Sequence, residues 1–348
     1  MLSAEFLANL AVEVDLGRVR RIPHSNLPLS IYNYTEQTQF SKAFNKVNSI
    51  CRGLVISNEG EVAARPFKKF FNFEELGTSS SEFSPDKISE IWTKEDGSLI
   101  VAFWWEGSWH TITRGSWASD QALSAPNLLS KRFLSGADHK KTYLFELVGP
   151  SNINVVRHYD KDSLILLGII DTHSAVEASA EEIRSYAEGF GFQIPKLWTA
   201  EEFSYDLIKR EVNPNFEGVV LKNIKGERCK IKTETYVQLH KVVTGLSDSG
   251  IFKLWMQRKE AGKFSMDGIP DEFFAEINQK IEAIDERWVK YRASVESEWE
   301  EAKELIKSGV SRKDIAINHP KLRHVLSSAM LNIDPLPIAY DEFCKYNG

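Results

Sequence analysis

The chain has 348 residues, 42% of them hydrophobic and 26% charged, which suits large apolar cores in about two domains. A formal net charge of −6 excludes general coating of nucleic acid and leaves recognition of a particular end or structure through a local basic patch. Three cysteines, Cys51, Cys229 and Cys344, are too few and too scattered for a disulfide framework or a zinc site, so a reducing, cytoplasmic setting is expected, with Cys51 and Cys229 as small apolar packers.

Met1 to Asp15 lacks the basic flank and the long apolar run of a secretory signal. From Ile50 to about Val243 the pattern is strand-rich and broken by short turns. Residues 54–56 lead through Asn58-Glu59-Gly60 into residues 61–63, a hairpin signal. Residues 91–93 and 99–103 read as two short strands around the tight turn Lys94-Glu95-Asp96-Gly97-Ser98. Residues 99–104 and 109–113, joined by Glu106-Gly107-Ser108, form a second hairpin. Further strands are expected at 143–148, 164–170 and 218–222, and an amphipathic helix at 181–190 ended by Gly191. The longest apolar stretch, Leu164 to Ile170, is far too short to cross a bilayer, so no membrane partner is expected. Residues 1–244 are therefore assigned to the α+β class, with mostly antiparallel sheets.

The texture changes near residue 245. Phe274, Ile277, Ile281, Ile284, Trp288, Tyr291, Val295 and Trp299 recur at spacings of three and four, which predicts one long helix with a continuous packing seam. Ser308-Gly309 breaks that run, and His319-Pro320 opens a further helix through Leu322, Val325, Leu326 and Met330. Residues 245–348 are thus expected to be a separate, all-helical domain.

On its own, a lysine before Asp-Gly is a solvated hairpin tip. Other segments give the Lys94 turn a different meaning: Arg52-Gly53, Lys69-Phe70-Phe71-Asn72, Glu146, Glu217-Gly218 and Lys230-Ile231-Lys232. An amine that attacks a phosphate must be unprotonated, and neighbouring cations, a metal included, favour that form. Arg52, Lys69, Lys230 and Lys232 supply such cations and would also hold a triphosphate. Alternation puts Lys230 and Lys232 on one strand face, where they repel unless an anion sits between them; a solvated edge strand is the plain alternative. Glu146 stands in an otherwise apolar strand and needs a partner such as a metal, a ribose hydroxyl or a cation. Glu217 directly precedes Gly218, a residue that allows close approach of a ligand to the backbone. Asp96 lies two residues from Lys94 and has ordinary turn chemistry as its alternative. Three carboxylates around one nucleotide suit Mg²⁺, which keeps several waters and takes few direct protein ligands.

In chain order, Cys51-Arg52-Gly53, Arg65-Pro66 through Lys69-Phe70-Phe71-Asn72, Thr93 through Leu99, Arg114-Gly115-Ser116, Phe145-Glu146, Glu217-Gly218, and Lys230-Ile231-Lys232 followed by Tyr236 and His240 resemble the motifs of the lysyl-nucleotidyltransferases. Within that superfamily the chain resembles the bacteriophage RNA ligase 1 family of tRNA-repair ligases over residues 30–242, with weaker likeness to Arg312-Lys313-Asp314-Ile315-Ala316. The resemblance implies ATP-dependent joining of RNA 5′-phosphate and 3′-hydroxyl ends through lysyl-AMP and RNA-adenylate, with one or two Mg²⁺ ions and nicked tRNA as the substrate. It makes Lys94 the nucleophile and puts Arg52, Lys69, Lys230 and Lys232 on the triphosphate. It places Phe71 in the nucleotide pocket and Glu146, Glu217 and Asp96 near ribose and metal. Arg114 stands where the family often carries lysine, keeping the charge but not the geometry. Leu147-Val148-Gly149-Pro150 after Glu146 also differs from the family pattern.

Other nucleotidyltransferases, the DNA ligases and capping enzymes, usually continue into a β-rich OB-fold, whereas this chain continues into helices. A non-catalytic RNA-binding protein on the same fold would lack a motif lysine or glutamate, and none is missing. The helical domain is the candidate selector of RNA, through Arg312 and Lys313 and beside them Lys321 and Arg323, and Arg114 of the first domain is a further candidate RNA contact.

Overall fold

A computed structural model describes residues 2–152, 155–156, 159–243, 248–261 and 274–347, and within them twelve strands make three four-stranded sheets. The chain divides into two units, Met1–Val243 and Thr244–Gly348. The expected domain boundary falls on residues 244–247, which lie outside the described residues.

The first sheet is an antiparallel meander of β1 (Val19–Pro23), β2 (Leu29–Tyr34), β3 (Arg52–Ser57) and β4 (Val62–Ala64). The chain then passes through β5 (Phe71–Asn72) and β6 (Ile88–Lys94), enters β7 (Ser98–Trp105), β8 (Ser108–Thr113), β9 (Lys141–Val148) and β10 (Ser163–Asp171), and returns as β11 (Gly218–Asn223) and β12 (Arg228–Lys232). The second sheet has the order β10-β9-β7-β8 and the third β5-β12-β11-β6, antiparallel throughout except for the parallel pair β5 and β12.

Inward residues of the first two sheets share one core, in which Ile31 and Val55 meet Val101, Phe103, Ile112 and Leu144. The outer face of the second sheet is covered by Phe133 and by the helix Ala180–Phe190, through Ile183 and Ala187. That helix begins at a capping box of Ser179 and Glu182 and ends at Gly191, whose φ of 77° is the left-handed stop expected of a glycine there. The helix Ala4–Asp15 covers the first sheet's outer face, with Leu10 beside Leu54 and Ile56. Cys51 and Cys229 are fully buried, and burial pushes each thiol up to about 12.

The second unit is helical in its described residues: Asp248–Ala261, Phe274–Lys307, Arg312–Asn318, Arg323–Leu331 and Leu336–Asn347. Ile277, Ile281, Ile284, Trp288 and Val295 are buried along the long helix, with Tyr291 and Trp299 packed at the edge of the core. The side chain of Phe274 lies outside the described residues. Gly309, with φ 84°, follows the helix end, and Pro320 opens the short turn before Arg323–Leu331. Among the described residues no helix is long and apolar enough to cross a membrane.

Candidate active site

Alternation along the third sheet decides which side chains meet. Ile91, Val219, Leu221, Cys229 and Ile231 pack into the core behind it. The opposite face is a grid fixed by register. Lys94, Gly218 and Lys232 lie across its first row, Trp92, Val220 and Lys230 across the second, and Glu90, Lys222 and Arg228 across the third.

Glu217 sits one residue before this grid. Gly218 has φ 145°, and a Cβ there would stand 2.0 Å from the Ile231 carbonyl oxygen. Glycine is therefore needed for the approach of β11 to β12. The Glu217 carboxylate is only 2% exposed. Its Oε2 accepts from Lys94 Nζ at 2.7 Å and its Oε1 lies 2.9 Å from Lys232 Nζ. One buried carboxylate thus holds a lysine from each flanking strand, which satisfies it electrostatically on both oxygens. Lys232, one of the cations expected around Lys94, thus reaches the same carboxylate as Lys94 does.

The turn after Lys94 is not a hairpin tip. It crosses from β6 in the third sheet to β7 in the second. A Cβ on Gly97 would lie 2.1 Å from the Leu147 carbonyl oxygen and 3.0 Å from Glu146 Cγ, so the turn rests directly on β9. Asp96 is 4% exposed. Its Oδ2 accepts the Val155 and Val156 amides, each at 2.8 Å, and its Oδ1 accepts the Tyr236 hydroxyl at 2.8 Å. Burial would raise this carboxyl, but the two amides, with Lys94 and Tyr236, outweigh it and hold the carboxyl below its ordinary range. The oxygens of Asp96, a residue expected near the metal, tie the Lys94 turn to the segment after β9 and to the helix Glu234–Val243. Tyr159 donates to the neighbouring Glu95.

Glu146 has the opposite balance. Burial, with repulsion from Glu217 and Asp96, pushes its carboxyl up to about 8 against the pull of Lys94 and Arg52. Among the described residues no group of three or more His, Cys, Asp or Glu stands ready as a closed metal site. The donor set still fits a loosely held hard cation. The charge of Glu217 opposes ionisation of Glu146, and a divalent ion that keeps its waters would relieve that repulsion.

A second cluster gathers on the first sheet. Lys69 is only 9% exposed, and its Nζ lies 5.3 Å from the Tyr34 ring, 5.6 Å from Phe44 and 5.2 Å from Phe71. Phe71, expected in the nucleotide pocket, is thus part of an aromatic cage around Lys69. Arg114 Nη1 donates to the Tyr34 hydroxyl at 3.2 Å, and a Cβ on Gly53 would stand 3.3 Å from Arg114 Cα, so Arg52-Gly53 and Arg114 are neighbours. Arg52 itself lies 5.6 Å from the Phe70 ring. The structure brings Arg114 beside the phosphate-binding candidates. In the other unit, Arg312 and Lys313 are exposed, and Arg312 Nη2 donates to Ser327 at 3.4 Å.

Sequence reasoning missed Tyr34, Phe44, Glu90, Trp92, Lys222 and Arg228. Carrying the alternation of Lys230 and Lys232 back to Arg228 would have found one of them. Nothing in the local pattern marks Tyr34 or Phe44, which the end of β2 and the loop before β3 bring to Lys69. A cavity of about 410 Å³ also opens beside Lys94, lined by Thr93, Tyr159, Lys196, Asn213 and Asn215 among others.

Residues 50–236 match a family described as RNA ligase, of the phage T4 RNA ligase 1 type. A protein of Thermovibrio ammonificans named "Putative RNA ligase" is 27% identical over 225 residues, covering 60% of this chain and 58% of that protein. A protein of Autographa californica nuclear polyhedrosis virus named "Putative bifunctional polynucleotide kinase/RNA ligase" is 26% identical over 218 residues, covering 55% of this chain and 30% of that protein. The chain therefore spans well under two thirds of the length of either. Among solved structures, an archaeal ATP-dependent RNA ligase shares the fold, with a TM-score of 0.53 at 15% identity over 95% of this chain and 77% of that one.

Proposed function

This chain belongs to the RNA ligase family, and on that premise we propose that it joins RNA 5′-phosphate and 3′-hydroxyl ends with ATP, through lysyl-AMP and RNA-adenylate. The observation that carries the reading is the first row of the grid, where Lys94 and Lys232 share the buried carboxylate of Glu217.

In the first step the Lys94 amine bonds to the α-phosphorus of ATP as the bond to pyrophosphate breaks. Glu217 must first give up Lys94, and the amine must lose its proton. Lys232 and Lys230, with Arg52 and the caged Lys69, bind the phosphates and offset the charge that gathers on the leaving group. The aromatic cage limits where the Lys69 ammonium can go, so it is held in place before ATP arrives. Asp96 fixes the turn that carries Lys94. Glu146 and Glu217 would hold a divalent cation such as Mg²⁺, which when bound supplies neutralisation of phosphate charge. In the second step AMP passes from Lys94 to the RNA 5′-phosphate, and in the third the 3′-hydroxyl attacks that phosphate and releases AMP. The helical unit selects the RNA, with tRNA broken in its anticodon loop as the substrate that the family resemblance implies.

The test is incubation with α-labelled ATP and Mg²⁺. Label should stay on the denatured wild-type chain and be absent from Lys94→Ala, while that variant still seals RNA whose 5′ end is already adenylated. Label on another lysine, or persisting in the variant, refutes the assignment.

A further inference from the structure

The third row of the grid takes no part in the chemistry above, yet its charges are tightly paired. Glu177 follows β10 and is bridged to Ile170. It accepts Arg228 Nη1 on Oε1 at 2.8 Å and Arg228 Nη2 on Oε2 at 2.6 Å, a bidentate pair with a demanding geometry. Lys222 Nζ lies 3.0 Å from Glu90 Oε1 and 3.6 Å from Glu177 Oε2, while Glu90 Oε2 accepts Trp92 Nε1 at 2.7 Å. Burial alone would raise the Glu177 carboxyl; Arg228 and Lys222 outweigh it and hold the carboxyl below the usual range. The Arg228 guanidinium also lies 4.3 Å from the Phe67 ring centroid. Phe67 in turn sits so close to β10 that a Cβ on Gly168 would be 2.5 Å from its Cζ.

These contacts join the third sheet to the second at one end of the grid. Gly97 against Leu147 joins them at the other. Between the two junctions lies the middle row, where Trp92 and Val220 are partly exposed beside Lys230. From Lys94 to Glu90 is four residues of strand, about 13 Å, which leaves room for a nucleoside lying along the strand from its phosphate at Lys94.

We propose that Glu177, with Arg228, Lys222 and Glu90, is a latch that fixes the cleft over Trp92 and Val220 and so sets how tightly the adenosine of ATP is held. These are positioning residues for adenylylation; none touches the reacting atoms. The proposal rests on the function proposed above. It also chooses between two seats for the base, because a base in the cavity lined by Thr93, Lys196, Asn213 and Asn215 would be indifferent to the latch.

The experiment measures label transfer to the full chain as a function of ATP concentration, for wild type, Glu177→Ala and Glu177→Gln. In Glu177→Ala the KM for ATP should rise about tenfold with kcat changed less than about twofold, because ground-state and transition-state binding weaken together. Glu177→Gln keeps its shape and should fall between the two; it carries the test should the alanine variant lose its fold. A purely structural role would lower the active fraction and the thermal midpoint, reducing kcat with KM unmoved. A folded Glu177 variant with wild-type KM overturns the latch. A wild-type chain that takes no label overturns the proposed function itself, which is a different and separately visible failure.

Discussion

Replacing Glu146 with glutamine should make the ligand-free protein more stable in alkali while it destroys ligation. The carboxyl ordinarily titrates near 4.5 and is raised to about 8 in the folded chain. The folded state therefore binds this proton more tightly than the unfolded state does. The stability that the protonated form confers is fully present below about pH 4.5 and is lost as the pH rises through about 8. At 1.36 kcal/mol per unit the span is worth at most about 5 kcal/mol, and relaxation around the charge reduces it to a few. Glutamine keeps the shape and has no charge to bury, so it escapes the loss. Wild type and Glu146→Gln should unfold alike near pH 5. At pH 9 the variant's thermal midpoint should lie several degrees higher, at roughly 2–4 °C per kcal/mol for a domain of this size. The assay is circular dichroism melting from pH 5 to 9 in a chelator, since the comparison cancels every other titrating group. Adding Mg²⁺ and ATP at pH 9 should stabilise the wild type more than the variant. Parallel midpoint profiles across the whole pH range would refute the claim that Glu146 is held in a raised state.

Glu217→Gln removes the charge that holds both Lys94 and Lys232 but keeps the contact shape, so lysyl-AMP formation should fall at least about a hundredfold and its dependence on Mg²⁺ should change; a normal metal titration at a normal rate would reduce Glu217 to a structural residue. Asp96→Asn leaves one oxygen to accept where three donors now point, so a loss of about 1–3 kcal/mol in stability is expected, seen as a lower midpoint in denaturant, with sealing of pre-adenylated RNA impaired as well. A Glu217-like defect confined to the metal dependence would instead restore Asp96 to the metal. Arg312→Ala with Lys313→Ala should leave lysyl-AMP formation intact and lower the preference for nicked tRNA over short linear RNA; an unchanged preference in competition assays leaves these residues with a solubilising role.

Period-two patterning made β11 and β12 legible, because each has one face in a core and the other on the open grid, whereas β7, β9 and β10 showed as short apolar runs because both of their faces lie in cores. The hairpins of β3 with β4 and β7 with β8 are both formed as expected. The helix Ala180–Phe190 was equally readable, since its cap and its glycine stop are local signals. The helix Ala4–Asp15 and the strands β1 and β2 were not assigned, because Arg20, Arg21 and Pro23 dilute the alternation on what proves to be an edge strand. The separation of β6 and β7 into different sheets could not be read either, since a turn between two strands has the same local sequence whether or not they pair. That one topological fact changed the meaning of Asp96 and Gly97. A hairpin tip would expose them, whereas a sheet crossing buries them against β9 and the segment that follows it.

The same distinction explains why the motif residues are informative as a set and ambiguous singly. Lys94, Glu217 and Lys232 come from positions far apart in the chain, and what unites them is that Gly218 pairs with Lys94 on one side and Lys232 on the other. A side chain at 218 would meet the Ile231 carbonyl and push β12 away, which would part Lys232 from Glu217 without touching either charge. The electrostatics of the first row therefore depend on a backbone contact that only glycine permits. Glutamate before glycine at this place is best understood as one device: the glycine closes the strands, and the carboxylate joins the lysines that closure brings within its reach.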